Sequence, residues 1–322
     1  MKAVRIDQTG GPEVLQLANI AQPTPGPGEV LIQHQAIGLN FIDIYQRSGL
    51  YPMPLPSGLG LEAAGEVIAI GEGVTRFKIG DRAAYCNTIG AYAEANVVKQ
   101  DRAVRLPEGV SSEVAAACLL KGLTAEFLAR RIRPLSKGET VLVHAAAGGV
   151  GLILCQWLKV LGIRVIGSVG SAQKRSIALS HGCEEVLVSS ESDFAKQVRD
   201  LTGGLGVSVV YDSVGADTFE SSLSSLARRG MMVCFGNASG PAPAVEPLRL
   251  SRGGSLFLTR PTLFDYVATV DELDRAAEAL FAVIASGDVK IEIGQRFALD
   301  QIAEAHRTLA SRATTGATVI TL

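Results

Sequence analysis

Hydrophobic positions along the chain change their period part-way through. Up to about residue 124 they come in short alternating or β-branched runs at 2–6, 30–36, 64–70 and 91–98. Gly and Pro punctuate these runs, as in TPGPGE at 24–29 and GEG at 71–73. Closely spaced strands and turns of this kind predict a compact β barrel or sandwich-like unit. The character changes near Gly122. From Thr140 onward apolar strands, at 140–144, 164–169, 185–189, 207–212, 231–235 and 255–259, alternate with helical patterns at 150–161, 172–181, 193–202 and 216–228. Gly162, Gly182, Gly203 and Gly230 follow these helices, where a chain can leave a helix through a left-handed residue. The first two strands carry no charged interior residue, as strands covered on both faces require. The pattern predicts an α/β chain with a doubly wound parallel sheet beside the β-rich unit. After about 265 come amphipathic helices at 271–286 and 300–311, the second with Asp300 as its expected N-cap, and a short strand at 317–321. The tail is expected to rejoin the first unit, giving domains 1–124 with 265–322, and 125–264.

Composition narrows the function classes. The chain has 322 residues, 47% of them hydrophobic and 19% charged, which suffices for two cores and argues against disorder. A net charge of −2 gives no electrostatic reason to expect nucleic acid or an anionic membrane as partner. The start, MKAVRIDQTGG, lacks a signal pattern, and the apolar run at 148–158 contains Gln156 and ends at Lys159, so a cytoplasmic protein is expected. Cys86, Cys118, Cys155, Cys183 and Cys234 are scattered without a CxxC pair and read as reduced, mostly buried thiols.

The strongest chemical signal is TVLVHAAAGGVGLILCQWLK, which reads strand, glycine turn, helix. Ala145, Gly148 and Gly151 have nearly the spacing of a dinucleotide fingerprint, with alanine in place of the first glycine. Gly148 and Gly149 would let a pyrophosphate approach the backbone, Gly151 would let the helix pack on the strand, and Val150 lies in the helix's first turn, whose N–H groups face the phosphates. From Thr140 through Cys183 there is no Asp or Glu, the residues that mark an NAD ribose site. The second strand runs instead into Gly170, Ser171, Ala172, Gln173, Lys174 and Arg175, and a hydroxyl with a cation suits the 2′-phosphate of NADPH. Arg175 reads as the plainer surface residue of the two cations.

Together the β-rich start, the AAAGGVG domain and the returning tail resemble the medium-chain dehydrogenase/reductases. The segments at 38–45, 121–124, 144–151, 211–215, 235–240 and 259–261 resemble the zeta-crystallin-like quinone oxidoreductases, bacterial members above all. The resemblance covers essentially the whole chain and implies a GroES-like catalytic domain beside a Rossmann-type NADPH-binding domain. Zinc-dependent relatives hold their metal with a Cys and a His where this chain has Asn40 and Leu61, and neither replaces a thiolate or an imidazole. A zinc-independent enzyme is therefore expected. A quinone is electron-poor, so hydride acceptance needs mainly orientation and hydrogen-bond donors.

The resemblance implies that Asn40, Tyr45 and Tyr51 line the site, with Asn40 offering an amide N–H and the tyrosines phenols; Asn40 capping a local turn is the structural alternative. Phe41, Ile42, Asp43, Ile44 and Tyr45 form the loop facing the nicotinamide, with Asp43 also read as satisfying backbone N–H groups. Glu62 reads as a structural remnant of the metal-binding pattern. Further cofactor positions implied by resemblance are Ser213, Asn237, Thr262, Leu263, Phe264 and Arg312. Two departures occur: Ser189 stands where close bacterial relatives place a Tyr, and Phe127 where they have an aromatic with a hydroxyl. His144 is read as a hydrogen-bonding residue, His34 and His181 as peripheral, and His306 as part of a tail helix. The strand from Ser255 to Thr259 is an expected sheet edge that pairs across a homodimer. Competing readings are an NADPH-dependent enone or alkenal reductase, and a non-enzymatic NADPH-binding structural or RNA-binding protein.

Overall fold

Alternating runs near the N-terminus become strands because each buries one face. The computed structural model describes residues 1–190 and 193–322. They form two compact units, Met1–Leu123 with Val267–Gly287 and Ile291–Leu322, and Thr124–Tyr266 with Asp288–Lys290. In chain order the first unit holds strands β1 (Lys2–Ile6), β2 (Gln16–Asn19), β3 (Glu29–Leu39), β4 (Ser57–Gly58), β5 (Glu62–Ile70), β6 (Arg82–Tyr85), β7 (Ala95–Lys99) and β8 (Ala103–Arg105). Helix α1 (Phe41–Ser48) follows β3, and helix α2 (Ser112–Arg130) follows β8, with the unit boundary inside it. The second unit contains β9 (Thr140–Val143), α3 (Gly149–Val160), β10 (Arg164–Val169), α4 (Arg175–Ser180), β11 (Glu185–Val188), α5 (Phe194–Leu201), β12 (Val207–Asp212), α6 (Phe219–Ser225), β13 (Leu226–Cys234), α7 (Pro247–Arg252), β14 (Phe257–Thr259) and α8 (Leu263–Tyr266). The tail adds α9 (Val270–Ala285), β15 (Ile293–Ala298), α10 (Ile302–Ala310) and β16 (Ala317–Thr321).

The first unit's main sheet runs β15-β16-β3-β5-β6-β8, with β7 also on β3, and a smaller sheet runs β2-β1-β4. The tail is woven into it: β16 lies antiparallel to β3, with Val319 opposite Gly38. Two register shifts between β3 and β5, at Leu31/Ile32 and His34/Ala36, bend the long strand. Its core holds Ile32, Ile37, Val67, Tyr85, Tyr92 and Ile320. The second unit is a six-stranded sheet of order β11-β10-β9-β12-β13-β14, every pair parallel, which is the doubly wound arrangement expected from the alternation. Among the described residues no helix is long and apolar enough to cross a membrane.

Several local expectations are corrected. Residues 41–45, read as a loop, lie in helix α1, started by the Asn40-x-x-Asp43 pattern: the Asp43 carboxylate accepts the Asn40 N–H at 2.9 Å. Helix α2 went unread because almost every side is buried, so it has no polar stripe to give a helical period. Asp300 does not cap α10; it sits in a 3₁₀ turn (Leu299–Gln301), and Gln301 precedes the helix. The helix expected at 216–228 shrinks to α6, and β13 begins at Leu226, so Gly230 lies inside a strand rather than after a helix. Serine hydroxyls favour this early end, as Ser225 Oγ donates to the Ser221 carbonyl at 2.7 Å. His34 and His181 are buried, not peripheral. His34 shares the inward face of β3 with Ile32 and Ala36, an alternation already present in the sequence.

Candidate functional site

Within the second unit, backbone geometry builds the candidate nucleotide turn. Strand β9 ends at Val143 and the chain turns through 144–148 into α3. Ala145 takes the left-handed φ of 50°, the conformation that the missing glycine would adopt without strain. Its carbonyl accepts the Gly148 N–H at 2.9 Å, closing the turn. Gly151 lies so close to Ala145 and Ala146 that a Cβ there would collide with their backbone. Gly148 is the N-cap, and no acidic residue stands in the first turn of α3. The N–H groups of Gly149, Val150 and Gly151 start a helix and have no intrahelical acceptor, which makes a cradle for an anion. Beyond β10, Gly170 is exposed, with nothing within 4 Å of where a Cβ would stand. Ser171 and Lys174 are half-buried there, and burial lowers the Lys174 pKa from its ordinary value. Arg175 is half-buried as well, so it is not the plain surface residue expected.

The other positions of this unit lie at strand ends. Ser189 follows β11, its N–H donating to the Val169 carbonyl at 2.9 Å. Ser213 follows β12 and Asn237 follows β13. Gly236 packs so tightly against Ser213 that a Cβ there would strike its backbone. Thr262 is exposed, Leu263 buried and Phe264 half-buried after β14. Phe127 is only 1% exposed and stacks on Tyr266 at 4.2 Å, so its ring is covered by protein rather than offered to a ligand.

A buried relay braces these strand ends. Ser168 and Ser222 Oγ lie 2.6 and 2.9 Å from Nδ1 and Nε2 of His144, and Ser222 donates to Asp212 at 2.8 Å. Asp212 also accepts the N–H groups of Val214 and Gly215. Burial pulls the His144 pKa down, keeping a neutral ring that bridges β9, β10 and α6.

Side chains, not backbone, build the corresponding region of the first unit. Asn40 begins α1 and is 5% exposed. Its Nδ2 donates to Glu62 Oε2 at 2.8 Å, and Lys121 Nζ approaches the same oxygen at 3.1 Å. The Leu120 N–H meets Glu62 Oε1 at 2.7 Å. A fully buried carboxylate is thus held by an ammonium, an amide and a backbone donor, the company a buried charge requires. Part of Asn40's donor capacity, expected to face substrate, is therefore directed at Glu62. Leu61 is buried beside this knot. Farther along α1, Tyr45 packs edge-on to Tyr51 at 5.2 Å and lies 6.2 Å from Phe41. Tyr45 is buried and Tyr51, Phe41, Ile42 and Ile44 are half-buried. The Asp43 side chain faces inward, fully buried; Tyr92 Oη donates to it at 2.8 Å and lies 3.0 Å from His306 Nε2, whose Nδ1 is 3.3 Å from Arg47 Nη1. Arg312, in the tail, is exposed with φ 59°.

Sequence reasoning missed Lys121, Tyr92, His306 and Arg47 as members of these networks. A lysine at position 121, in an otherwise apolar run from Val114 to Leu123, was the one visible signal, since an isolated cation in such a run needs a buried partner.

Comparison with known proteins places this geometry. Residues 26–108 match the alcohol dehydrogenase GroES-like domain, and residues 149–280 match a model described as zinc-binding dehydrogenase. The second match begins at the nucleotide turn and leaves out Asn40 and Leu61, so its name says nothing about ligands there. A quinone oxidoreductase of Pseudomonas aeruginosa is 52% identical over 321 residues, 99% of each chain. The solved structure of Escherichia coli quinone oxidoreductase complexed with NADPH superposes with a TM-score of 0.98 at 46% identity, covering 100% of both chains. A 2-haloacrylate reductase of a Burkholderia species is 38% identical over 327 residues, 99% of this chain and 98% of its own.

Proposed function

The chain belongs to the quinone oxidoreductase family of the medium-chain dehydrogenase/reductases, and from that membership we propose that it reduces quinones with NADPH as hydride donor. The observation that carries the reading is the turn from Ala145 to Gly151, with its glycine-only close approach and acid-free helix start. In this reading residues 125–264 bind the nucleotide and residues 1–124 with 265–322 carry the catalytic residues. NADPH, when bound, supplies a hydride from its nicotinamide ring.

The chain's own residues do the rest. The Gly149, Val150 and Gly151 amides hold the diphosphate, while Gly148 leaves room for it. Ser171 and Lys174, beside Gly170, receive the 2′-phosphate; a desolvated ammonium binds such an anion more strongly than an exposed one. Ser189, Ser213 and Asn237 line the nucleotide at the strand ends. Thr262, Leu263 and Phe264 contact the nicotinamide; Phe41, Ile42 and Ile44 on α1, assigned to it by resemblance, keep half-exposed side chains, whereas that of Asp43 is turned inward. Phe127 acts beneath that surface, through Tyr266. Asn40, fixed by Glu62, and the paired phenols of Tyr45 and Tyr51 orient the quinone and stabilise charge on its oxygen. No metal takes part in this mechanism, because an amide and a leucine stand where thiolate and imidazole would be needed, and Glu62 is already neutralised by Lys121.

The test is steady-state NADPH oxidation over a panel of 1,4-benzoquinone, 9,10-phenanthrenequinone and an α,β-unsaturated ketone. Turnover of the quinones well above the ketone is expected. Preferential turnover of the ketone would replace the proposal with alkene reduction, the reading favoured by the similarity to 2-haloacrylate reductase. Assembly is proposed as a homodimer through the strand from Ser255 to Thr259: β14 pairs on one side with β13, and Phe257 is 56% exposed. Light scattering should report twice the monomer mass.

A further inference from the structure

The relay beneath α1 contains a titratable group that the proposed substrate contacts leave without a role. Asp43 is fully buried. Its Oδ2 accepts the Asn40 N–H at 2.9 Å and the Tyr92 hydroxyl at 2.8 Å, while Oδ1 meets no donor. Proton positions along the relay follow from its far end. Arg47 can only donate, so His306 Nδ1 accepts from it at 3.3 Å and the imidazole proton sits on Nε2. That Nε2–H donates to the Tyr92 oxygen at 3.0 Å, which leaves the phenol hydrogen for Asp43. Every hydrogen in the chain therefore points from Arg47 toward the carboxylate. Arg47 and Asp43 sit on the same helix, but Tyr92 and His306 stand between them in the relay. Burial disfavours the charged form, and the two donors favour it.

Asp43 also occupies a mechanical position. It is the third residue of α1, with Asn40 capping the helix before it and Tyr45 two residues after it. We propose that Asp43 is a positioning residue for quinone reduction: its ionised carboxylate clamps the Asn40 main-chain N–H and with it the first turn of α1, and losing that charge lowers turnover. The inference rests on the quinone-reductase reading above. The groups facing Asp43 are Tyr92, Lys121 on α2, Glu62 on β5, and the Asn40 N–H; His306 on α10 and Arg47 act through Tyr92. Burial pushes Asp43 up to about 7, opposed by Tyr92, Asn40 and Lys121 and assisted by Glu62. Burial and Arg47 pull His306 down to about 3, so it stays a neutral conduit across that range.

The experiment follows kcat and KM for 1,4-benzoquinone from pH 5.5 to 8.5 at saturating NADPH, in the wild type, Tyr92→Phe and Asp43→Asn. The wild-type kcat is expected to rise about tenfold with a midpoint near 7, at constant KM for 1,4-benzoquinone. Tyr92→Phe removes one donor from the carboxylate and moves that midpoint up by about one pH unit. Asp43→Asn, which cannot ionise, runs at the low acid-limb rate without titrating. Turnover with a flat wild-type profile, an unmoved midpoint in Tyr92→Phe, or a midpoint persisting in Asp43→Asn would overturn this role and leave the quinone reading intact. No NADPH oxidation with any quinone at any pH would remove the quinone reading and this role with it. If Asp43→Asn fails to fold, carboxyl-carbon NMR of the wild type decides: an Asp43 midpoint near 7 supports the role, and one at or below about 4 overturns it.

Discussion

In the proposed reading, the glycine turn of the second unit and the start of α1 in the first hold charge by opposite means. The turn uses main-chain N–H groups and a helix end, and its side chains are Ala, Gly and Val. The α1 region uses Glu62, Lys121, Asn40, Asp43, Tyr92 and His306, brought together from five separate stretches of chain. A backbone site needs the absence of side chains at fixed spacing, so substitution there acts through steric collision. A side-chain site needs each partner, so removing one member leaves another buried and unmatched.

The sharpest way to break this contrast is Glu62→Gln. It leaves the Lys121 ammonium buried without a carboxylate, which costs about 3–5 kcal/mol. Urea unfolding should show that loss, and the double change Glu62→Gln with Lys121→Met, which keeps acceptors for Asn40 and the Leu120 N–H, should restore most of it. Next, Lys174→Ala should weaken NADPH by about 1.5–3 kcal/mol, roughly 10- to 100-fold, and leave NADH kinetics unchanged. Equal losses for both nucleotides would mean that Lys174 does not touch the 2′-phosphate. Gly151→Ala pushes a methyl into the Ala145 and Ala146 backbone and should cost about 1–3 kcal/mol, with NADPH affinity falling alongside stability. Fluorescence titration and a melting curve read the two together.

A further expected effect is acid sensitivity from buried histidines. Burial pulls His34 down to about 4 and His306 to about 3, from 6.5. The unfolded chain therefore takes up protons first as pH falls. Their contribution is complete above 6.5 and is lost as pH drops toward 4 and then 3. Asp43 works in the opposite sense: raised to about 7, it favours the fold at low pH, and that contribution fades as pH rises through 7. Urea midpoints in the Asp43→Asn background isolate the histidines and should fall from pH 6.5 to 4, less steeply in His34→Gln.

The same contrast explains what the sequence made legible. The second unit's strand sequence and parallel sheet followed from apolar runs and glycine punctuation, because local period and local turn chemistry agree there. The turn from Ala145 to Gly151 was legible because its geometry is set by consecutive residues. The α1 region was less so. The Asn40-x-x-Asp43 cap is a local signal that resemblance to a loop obscured, whereas Glu62–Lys121 and Tyr92–His306 span 59 and 214 residues and leave no local trace. Helix α2 vanished for a different reason: burial on nearly every side erases the period by which helices are recognised. His34 was misread although Ile32, His34 and Ala36 alternate inward, because a histidine among glutamines at 33 and 35 looks solvated until the face is counted.

A crystal structure of this protein grown with NADPH tests the central claim most directly. The account predicts diphosphate oxygens within hydrogen-bonding distance of the Gly149, Val150 and Gly151 amides and the 2′-phosphate against Ser171 and Lys174. A nucleotide bound elsewhere, or a turn from Ala145 to Gly151 filled by the protein's own side chains, would contradict it.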